Sequence, residues 1–420
     1  MKQNKLLGAV RIISDTLHDF IYKCQARQQP SYFSREGGKI GFTNMIAITL
    51  NFLAKSMQTE LDKFFEHVLK KTDTVTKQAY ADARFKLTVD AFKILFDKTA
   101  EYASDSSGLK TFKGYRVLPV DGTTLDLEDT YSLRAYFGVD GGEHGCAAAR
   151  ASVLCDVLNK GLILDACIDK LSVGERELAM KHINRLKQLQ IEKPLLVFDR
   201  GYASAELLDK LLRDNTPFLF RLQRSFNAQI DRMPLGDCIK DVTVKGRIFR
   251  LRVLKFKLSK GEVETLITNL PTQTITTADL KALYNLRWGV ETAYRMIKGT
   301  LQIENFSGTS QLIVEQDFFA TMFLKNMAAF AKIDSDELVE QNHDPDNLYN
   351  YKTNENQLIG ILKDKLVIAL LDPRPRAQSK KVNAIIARAA RYSIPIRPDR
   401  SFPHERKHSK RFCSSGKSVL

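Results

Sequence analysis

Glu291 stands in a row of side chains suited to phosphodiester chemistry. On a helix of about 100° per residue, Tyr284, Arg287, Glu291 and Lys298 fall in an arc of roughly 60°. Beside them runs an apolar seam of Leu283, Leu286, Val290, Ala293 and Ile297, at spacings of three and four. A carboxylate can hold a metal ion, and cations hold phosphates. A solvated helix face with one Arg287–Glu291 pair has the same composition. The metal-dependent reading therefore requires two more carboxylates, each at a strand end.

Asp121 and Asp199 meet that requirement. Asp121 follows the apolar run Val117–Val120 and opens Asp121-Gly122-Thr123-Thr124. Pro119 is awkward there, because proline donates nothing to a central ladder. Asp199 follows Leu195–Phe198, a compact buried strand, and opens Asp199-Arg200-Gly201-Tyr202. Between the two, Ala147–Val157 and Gly161–Ile168 flank the turn Asn159-Lys160-Gly161, and Gly174–Gln190 has helical period. Ala203–Leu212 is again helical, and the Glu291 helix, Ala282–Gln302, closes the set. Strand, hairpin, helix, strand, helix is the order of an RNase H-like α/β domain. In that fold the first and fourth strands and a late helix each supply one carboxylate.

Three such carboxylates can hold two divalent ions about 4 Å apart, which activate a water or a 3′-hydroxyl and stabilise the leaving oxygen. Mg²⁺ is the expected ion, with Mn²⁺ as a substitute, since hard cations take oxygen ligands. Asp121 would bridge the pair, with Asp199 and Glu291 holding one ion each. Two rival readings of the Asp121 loop fit less well. A haloacid-dehalogenase-like phosphatase has a second acid where Thr123 stands, and a sugar-kinase phosphate loop is one residue longer.

The spacing Tyr284-x2-Arg287-x3-Glu291-x6-Lys298 resembles the signature of bacterial insertion-sequence transposases of the "IS-four" family of DDE enzymes. With Asp121-Gly122-Thr123 and Asp199-Arg200-Gly201-Tyr202, the resemblance extends over roughly residues 30–412. It implies a transposase that binds terminal inverted repeats, cleaves the ends and joins their 3′ ends to target DNA, as a homodimer in a synaptic complex. It also implies that Tyr284, Arg287 and Lys298 contact phosphates near the transposon end. Some relatives stack a flipped base on a tryptophan of a β insertion, but the single tryptophan here, Trp288, lies in the signature helix. A nuclease that cuts without joining, and a silent DNA-binding descendant, are the alternatives.

The rest of the chain fits a DNA partner. Its formal charge is +15 and its pI about 9.4, as for a protein that binds a polyanion. From Asp372 to Leu420 there are 13 Lys or Arg against three acids, and this tail is expected to order on nucleic acid. Five segments are expected: a helical DNA-binding region 1–110, core 111–215, a β-rich insertion 216–272, core 273–335, and a helical, basic region 336–420. In the first, Lys77–Phe96 reads as one helix capped by Thr76. In the insertion, Arg250 and Arg252, with Lys255 and Lys257, alternate with apolar residues and are expected to face DNA, the alternative being a solvated strand face whose lysines protect an edge. After Lys298 the chain reads helical to about Ile333, and Asn356–Leu371 is amphipathic. No Cys-x2-Cys pair, signal-peptide core or membrane span is present, so reduced thiols and a cytoplasmic, nucleoid-associated protein are expected.

Overall fold

Period-two and continuous apolar runs build one large mixed sheet, and 3.6-period runs build the helices. The computed structural model describes residues 4–34, 38–51, 56–105, 108–142, 145–259 and 261–397. The chain divides into two compact units. The sheet unit is Ser104–Thr123 with Arg150–Tyr294, and the helical unit is Met1–Ala103, Thr124–Ala149 and Arg295–Leu420.

The strands are β1 (Arg116–Asp126), β2 (Val139–Asp140), β3 (Cys146–Asp156), β4 (Leu162–Lys170), β5 (Pro194–Phe198), β6 (Phe218–Arg221), β7 (Gly236–Val244), β8 (Arg247–Lys257) and β9 (Val263–Thr268). In the sheet unit β4 pairs with β3, and the order then runs β3-β1-β5-β6-β9-β8-β7. The pairs β1–β5 and β5–β6 are parallel, whereas β6–β9, β9–β8 and β8–β7 are antiparallel. Central β5 is apolar on both faces, as a strand covered on both sides must be. The strands of 216–272 thus form no separate layer. β6 continues the parallel core, and β7–β9 extend the same sheet. The β7–β8 turn, Lys245-Gly246, has positive φ at both residues, the geometry of a two-residue hairpin.

β1 runs through Pro119 and past Asp121 to Asp126, where the sequence implied an end at Val120. The Arg116 N–H bonds Lys193 O on the β5 side, so alternation turns the Pro119 nitrogen toward β3, and only one ladder bond is forgone. A core of Val117, Leu195, Val197, Leu219, Leu254, Leu266, Leu280 and Leu283 joins the sheet to the helix Thr277–Leu286. Each such side chain contributes about 1.5–3 kcal/mol by burial.

The helical unit is organised on Gln311–Gln341, a 31-residue helix buried on nearly every side between Phe318 and Lys332. Lys5–His18 and Pro375–Arg391 pack on it. Buried Arg84 ties the N-terminal helices to it, donating to Gln316 Oε1 (3.0 Å) and Asp317 Oδ1 (2.6 Å). Four expectations are corrected. Lys77–Phe96 is two helices, Lys77–Arg84 and Asp90–Asp105, the first capped by Thr76 as its sequence predicts. Residues 301–310 form a loop before Gln311. Asn356–Leu371 is broken at Asp364, which has positive φ. The basic region after Asp372 is a packed helix over Pro375–Arg391, because Val382, Ile385, Ile386 and Ala389 give it an apolar face. Residues 398–420 lie outside the described residues. Among the described residues no helix is long and apolar enough to cross a membrane.

Candidate active site

Parallel register places the first two carboxylates. The parallel β1–β5 register ends with Pro119 paired to Val197, and Asp121 and Asp199 each follow that last pair by two residues. Phe198 pairs with Phe220, which brings Arg221 level with Asp199. Arg221 ends β6, Asp199 directly follows β5, and Asp121 lies just past the last parallel pair of the longer β1; open α/β sheets bind their ligands at such strand ends.

The third carboxylate comes from a bent helix. A capping box of Thr276 and Asp279 starts Thr277–Leu286. The chain then tightens, with Arg287 N bonding Tyr284 O and Val290 N bonding Arg287 O, before Trp288–Arg295 continues. Gly289 permits close packing there, since a Cβ on it would lie 2.8 Å from Val157. Met296–Thr300 is a π-turn. The expected single helix over Ala282–Gln302 is therefore three pieces, and ideal-helix distances do not carry along it.

Around Asp199, Oδ1 accepts from the Arg200 N–H (2.7 Å), Arg221 Nε (2.9 Å) and the Tyr284 hydroxyl (3.0 Å). Arg287 Nη2 lies 4.0 Å from Asp199 Oδ2 and 2.9 Å from Glu291 Oε1. Arg287 is 3% exposed. Burial works to raise the Asp199 carboxyl, but the Arg200 N–H, Arg221, Arg287 and Tyr284 outweigh it and hold it below its ordinary value. Asp121 shows the opposite balance. Burial pushes its carboxyl up to about 6, and Glu175 and Glu291 add to this against the pull of Arg287 and the Gly122 N–H. The Asp121 carbonyl accepts from Tyr294 (2.8 Å) and Ser152 (3.0 Å), and His182 Nε2 lies 3.0 Å from the Ser152 hydroxyl.

The structure thus brings together Asp121, Asp199, Glu291, Tyr284 and Arg287. Tyr284 and Arg287, expected on phosphates, have carboxylates as partners. Lys298 belongs to the helical unit, where Nζ donates to Thr124 O (2.6 Å) and Glu304 (3.0 Å). Arg250 is exposed on β8, 3.9 Å from Asp241. Arg252 is not on an open face: it is 4% exposed, paired with Asp237 (2.5 Å) and donating to Ile275 O (2.6 Å). Its expected role on DNA is corrected, because burial commits the guanidinium to joining β7 and β8 to the segment before Thr277. Lys255 is likewise used internally, donating to the carbonyls of Ile230, Asp231 and Met233.

Sequence reading missed Arg221, Tyr294 and Glu175. Arg221 left one signal, a lone cation ending the run Phe218–Phe220. One further group among the described residues has metal-ligand spacing, Asp165, Cys167 and His182, with ligand atoms within 4.8 Å of one another. Both imidazole nitrogens there are engaged, Nδ1 at 2.7 Å from Asp165 and Nε2 with Ser152.

The fold and this cluster of two aspartates and a glutamate are now set beside known proteins. The family model described as "Transposase DDE domain" matches residues 112–327, just over half of the chain, and the chain belongs to that family of DNA transposases. It is 22% identical over 352 residues to transposase InsG of insertion sequence element IS4 from Escherichia coli K12, covering 78% of this chain and 76% of that protein. Its fold is similar to piggyBac transposase in a synaptic complex with hairpin DNA, at TM-score 0.50 and 12% identity, over 91% of this chain and 85% of that one.

Proposed function

We propose that this chain is the transposase of an insertion sequence related to IS4, acting on that element's terminal inverted repeats. In this reading it cleaves the ends hydrolytically and joins their 3′ ends to target DNA, working as a homodimer in a synaptic complex. The catalytic core is RNase H-like, with β7–β9 as its insertion. The observation that carries the proposal is that Asp121 and Asp199 follow the last parallel pair of β1 and β5, with Arg221 bonded to Asp199 and Arg287 linking Asp199 to Glu291.

The donors fit a hard divalent ion, Mg²⁺ or Mn²⁺. Asp121, Asp199 and Glu291 offer only oxygens, and a cation would offset the burial and the neighbouring acids that raise Asp121. When bound, such ions supply Lewis-acid activation of water and of the leaving oxygen. Arg221 and Tyr284 saturate Asp199 Oδ1, which orients Oδ2 toward the site. Arg287 holds Glu291 and keeps the carboxylates from repelling one another while the site is metal-free. Arg250 and the exposed cations Arg376, Lys380, Arg388 and Arg391 of the helix Pro375–Arg391 suit phosphate contacts. Lys298 is proposed to reach the DNA end once Glu304 releases it.

The experiment uses the purified full chain, Mg²⁺ and DNA ending in the element's inverted repeats. Cleavage followed by joining of pre-cut ends to a plasmid is expected. Asp199→Asn and Glu291→Gln should abolish both while retaining DNA binding. Cleavage without any joining would instead establish a nuclease.

A further inference from the structure

Two groups at the Asp121 end of the site have no role in the triad. Tyr202 closes Asp199-Arg200-Gly201-Tyr202 and is 2% exposed, yet its hydroxyl has no hydrogen-bond partner among the described residues. A buried hydroxyl left unpaired is destabilising, and native structures keep one where something besides protein satisfies it. This hydroxyl lies in the field of Glu175, Asp121 and Asp199, which together with burial raise its pKa and keep it a neutral donor.

The second group is Glu175, the first residue of the helix Glu175–Leu189. Its carboxylate rests against the backbone beside Asp121, and a Cβ added at Gly122 would come 2.9 Å from Oε1. The glycine of Asp121-Gly122-Thr123 therefore makes room for an acid. Arg150 Nη1 stands 3.6 Å from Glu175 Oε1. A carboxylate held against Gly122 beside Asp121, with a buried, unsatisfied phenol that feels the same acids, is an arrangement that suits a cation and its water.

We propose that Glu175 is a fourth carboxylate of the metal site, beside Asp121, and that the Tyr202 hydroxyl donates to a water arriving with the ion. This rests on the reading of Asp121, Asp199 and Glu291 as ion ligands. Tyr202 is then a positioning residue that acts through that water, and Gly122 is the space that admits Glu175.

Binding of Mn²⁺ alone to the full chain tests this without any turnover. Free Mn²⁺ is followed by electron paramagnetic resonance, and quenching of Trp288, the single tryptophan, reports occupancy near Glu291. Glu175→Gln is expected to weaken Mn²⁺ binding about tenfold or more, and Tyr202→Phe about tenfold, as for groups supporting a metal shell. Gly122→Ala should reproduce Glu175→Gln and add nothing to it in the double variant. Thermal unfolding supplies a second readout. With chelator present, Tyr202→Phe should match or exceed the wild-type Tm, and the rise in Tm on adding Mn²⁺ should shrink. A packing role would instead lower Tm in both conditions and leave the Mn²⁺ increment intact, which would overturn the assignment of Tyr202. Wild-type Mn²⁺ affinity in Glu175→Gln alongside weakened binding in Asp199→Asn would overturn the fourth carboxylate alone. Wild-type affinity in both would overturn the reading of the triad on which it rests.

Discussion

The Tyr284 hydroxyl donates to Asp199 Oδ1 at 3.0 Å, on the same oxygen that receives Arg221 Nε and the Arg200 N–H. With three donors on one oxygen, the carboxylate is fixed in rotation, and none of the three reaches Oδ2. Tyr284→Phe removes one of the three. A hydrogen bond of this kind contributes about 1 kcal/mol, so single-turnover cleavage should slow about five- to tenfold. DNA affinity should not change. Normal cleavage with weakened binding to the transposon end would return Tyr284 to a phosphate.

Arg287 makes a similar argument by charge. Its guanidinium reaches both Glu291 and Asp199 from a buried position, and it also lowers Asp121. Arg287→Lys keeps the charge but loses the planar fork that serves two carboxylates. The Mg²⁺ concentration for half-maximal cleavage should rise about tenfold. Joining of pre-cut ends at saturating Mg²⁺ should recover most of its rate. Failure to recover there would mean that the fork is needed on DNA instead.

The metal-free site should cost stability in a pH-dependent way. Asp121 titrates at about 6 in the folded chain against 3.8 for an ordinary aspartate, chiefly because it is buried. Between those values the folded chain binds more protons than the unfolded one, so stability rises as pH falls from about 6 toward 4. At pH 7 the ionised carboxylate costs about 3 kcal/mol by that linkage. Asp121→Asn in chelator should therefore be more stable than wild type at pH 7, and the advantage should fade by about pH 4. Urea unfolding at several pH values measures it. A constant gap, or a destabilised variant at pH 7, would show that Asp121 is not strained.

How far the site was legible follows from these neighbours. Asp121, Asp199 and Glu291 are each marked by local pattern, an apolar run that stops or a helical row with mixed charge. The groups around them are not. Arg221 becomes a partner of Asp199 only because β6 lies parallel to β5 in register, a long-range fact absent from the local sequence. Glu175 looks like an ordinary acid in a first helical turn. The break at Arg287 escaped because the apolar seam keeps its period through it, while the backbone tightens to let Gly289 meet Val157. Arg250 and Arg252 share one face of an alternating strand, yet only Arg252 lies within reach of Asp237 and the carbonyl of Ile275.

That last difference is itself testable. Arg252→Ala removes a buried guanidinium from Asp237, whose residue is open to solvent, and leaves the buried carbonyl of Ile275 without that donor, which costs about 1–3 kcal/mol. Arg250→Ala removes an exposed side chain whose pairing with Asp241 is worth little. Arg252→Ala should lower the unfolding midpoint substantially. Arg250→Ala should leave it unchanged and weaken DNA binding for every sequence alike. Equal midpoints for the two variants would contradict the burial of Arg252.

The basic C-terminal region separates in the same way into packed and unpacked parts. Val382, Ile385, Ile386 and Ala389 bury one face of Pro375–Arg391, while Arg376, Lys380, Arg388 and Arg391 are exposed. Truncation after Leu371 would therefore remove a structural helix and uncover apolar surface on Gln311–Gln341, so a drop in DNA binding there would report unfolding. Truncation after Arg397 leaves the helix in place and removes six cations, Arg400, Arg406, Lys407, Lys410, Arg411 and Lys417. If these neutralise phosphates, the slope of log affinity against log salt should flatten by up to about 0.9 for each phosphate that is no longer neutralised. Arg388→Gln and Arg391→Gln in the full chain should each flatten it by about one without changing Tm. An unchanged slope in all of these variants would place the DNA path away from this helix, and selective weakening for one sequence would mean that the tail reads bases.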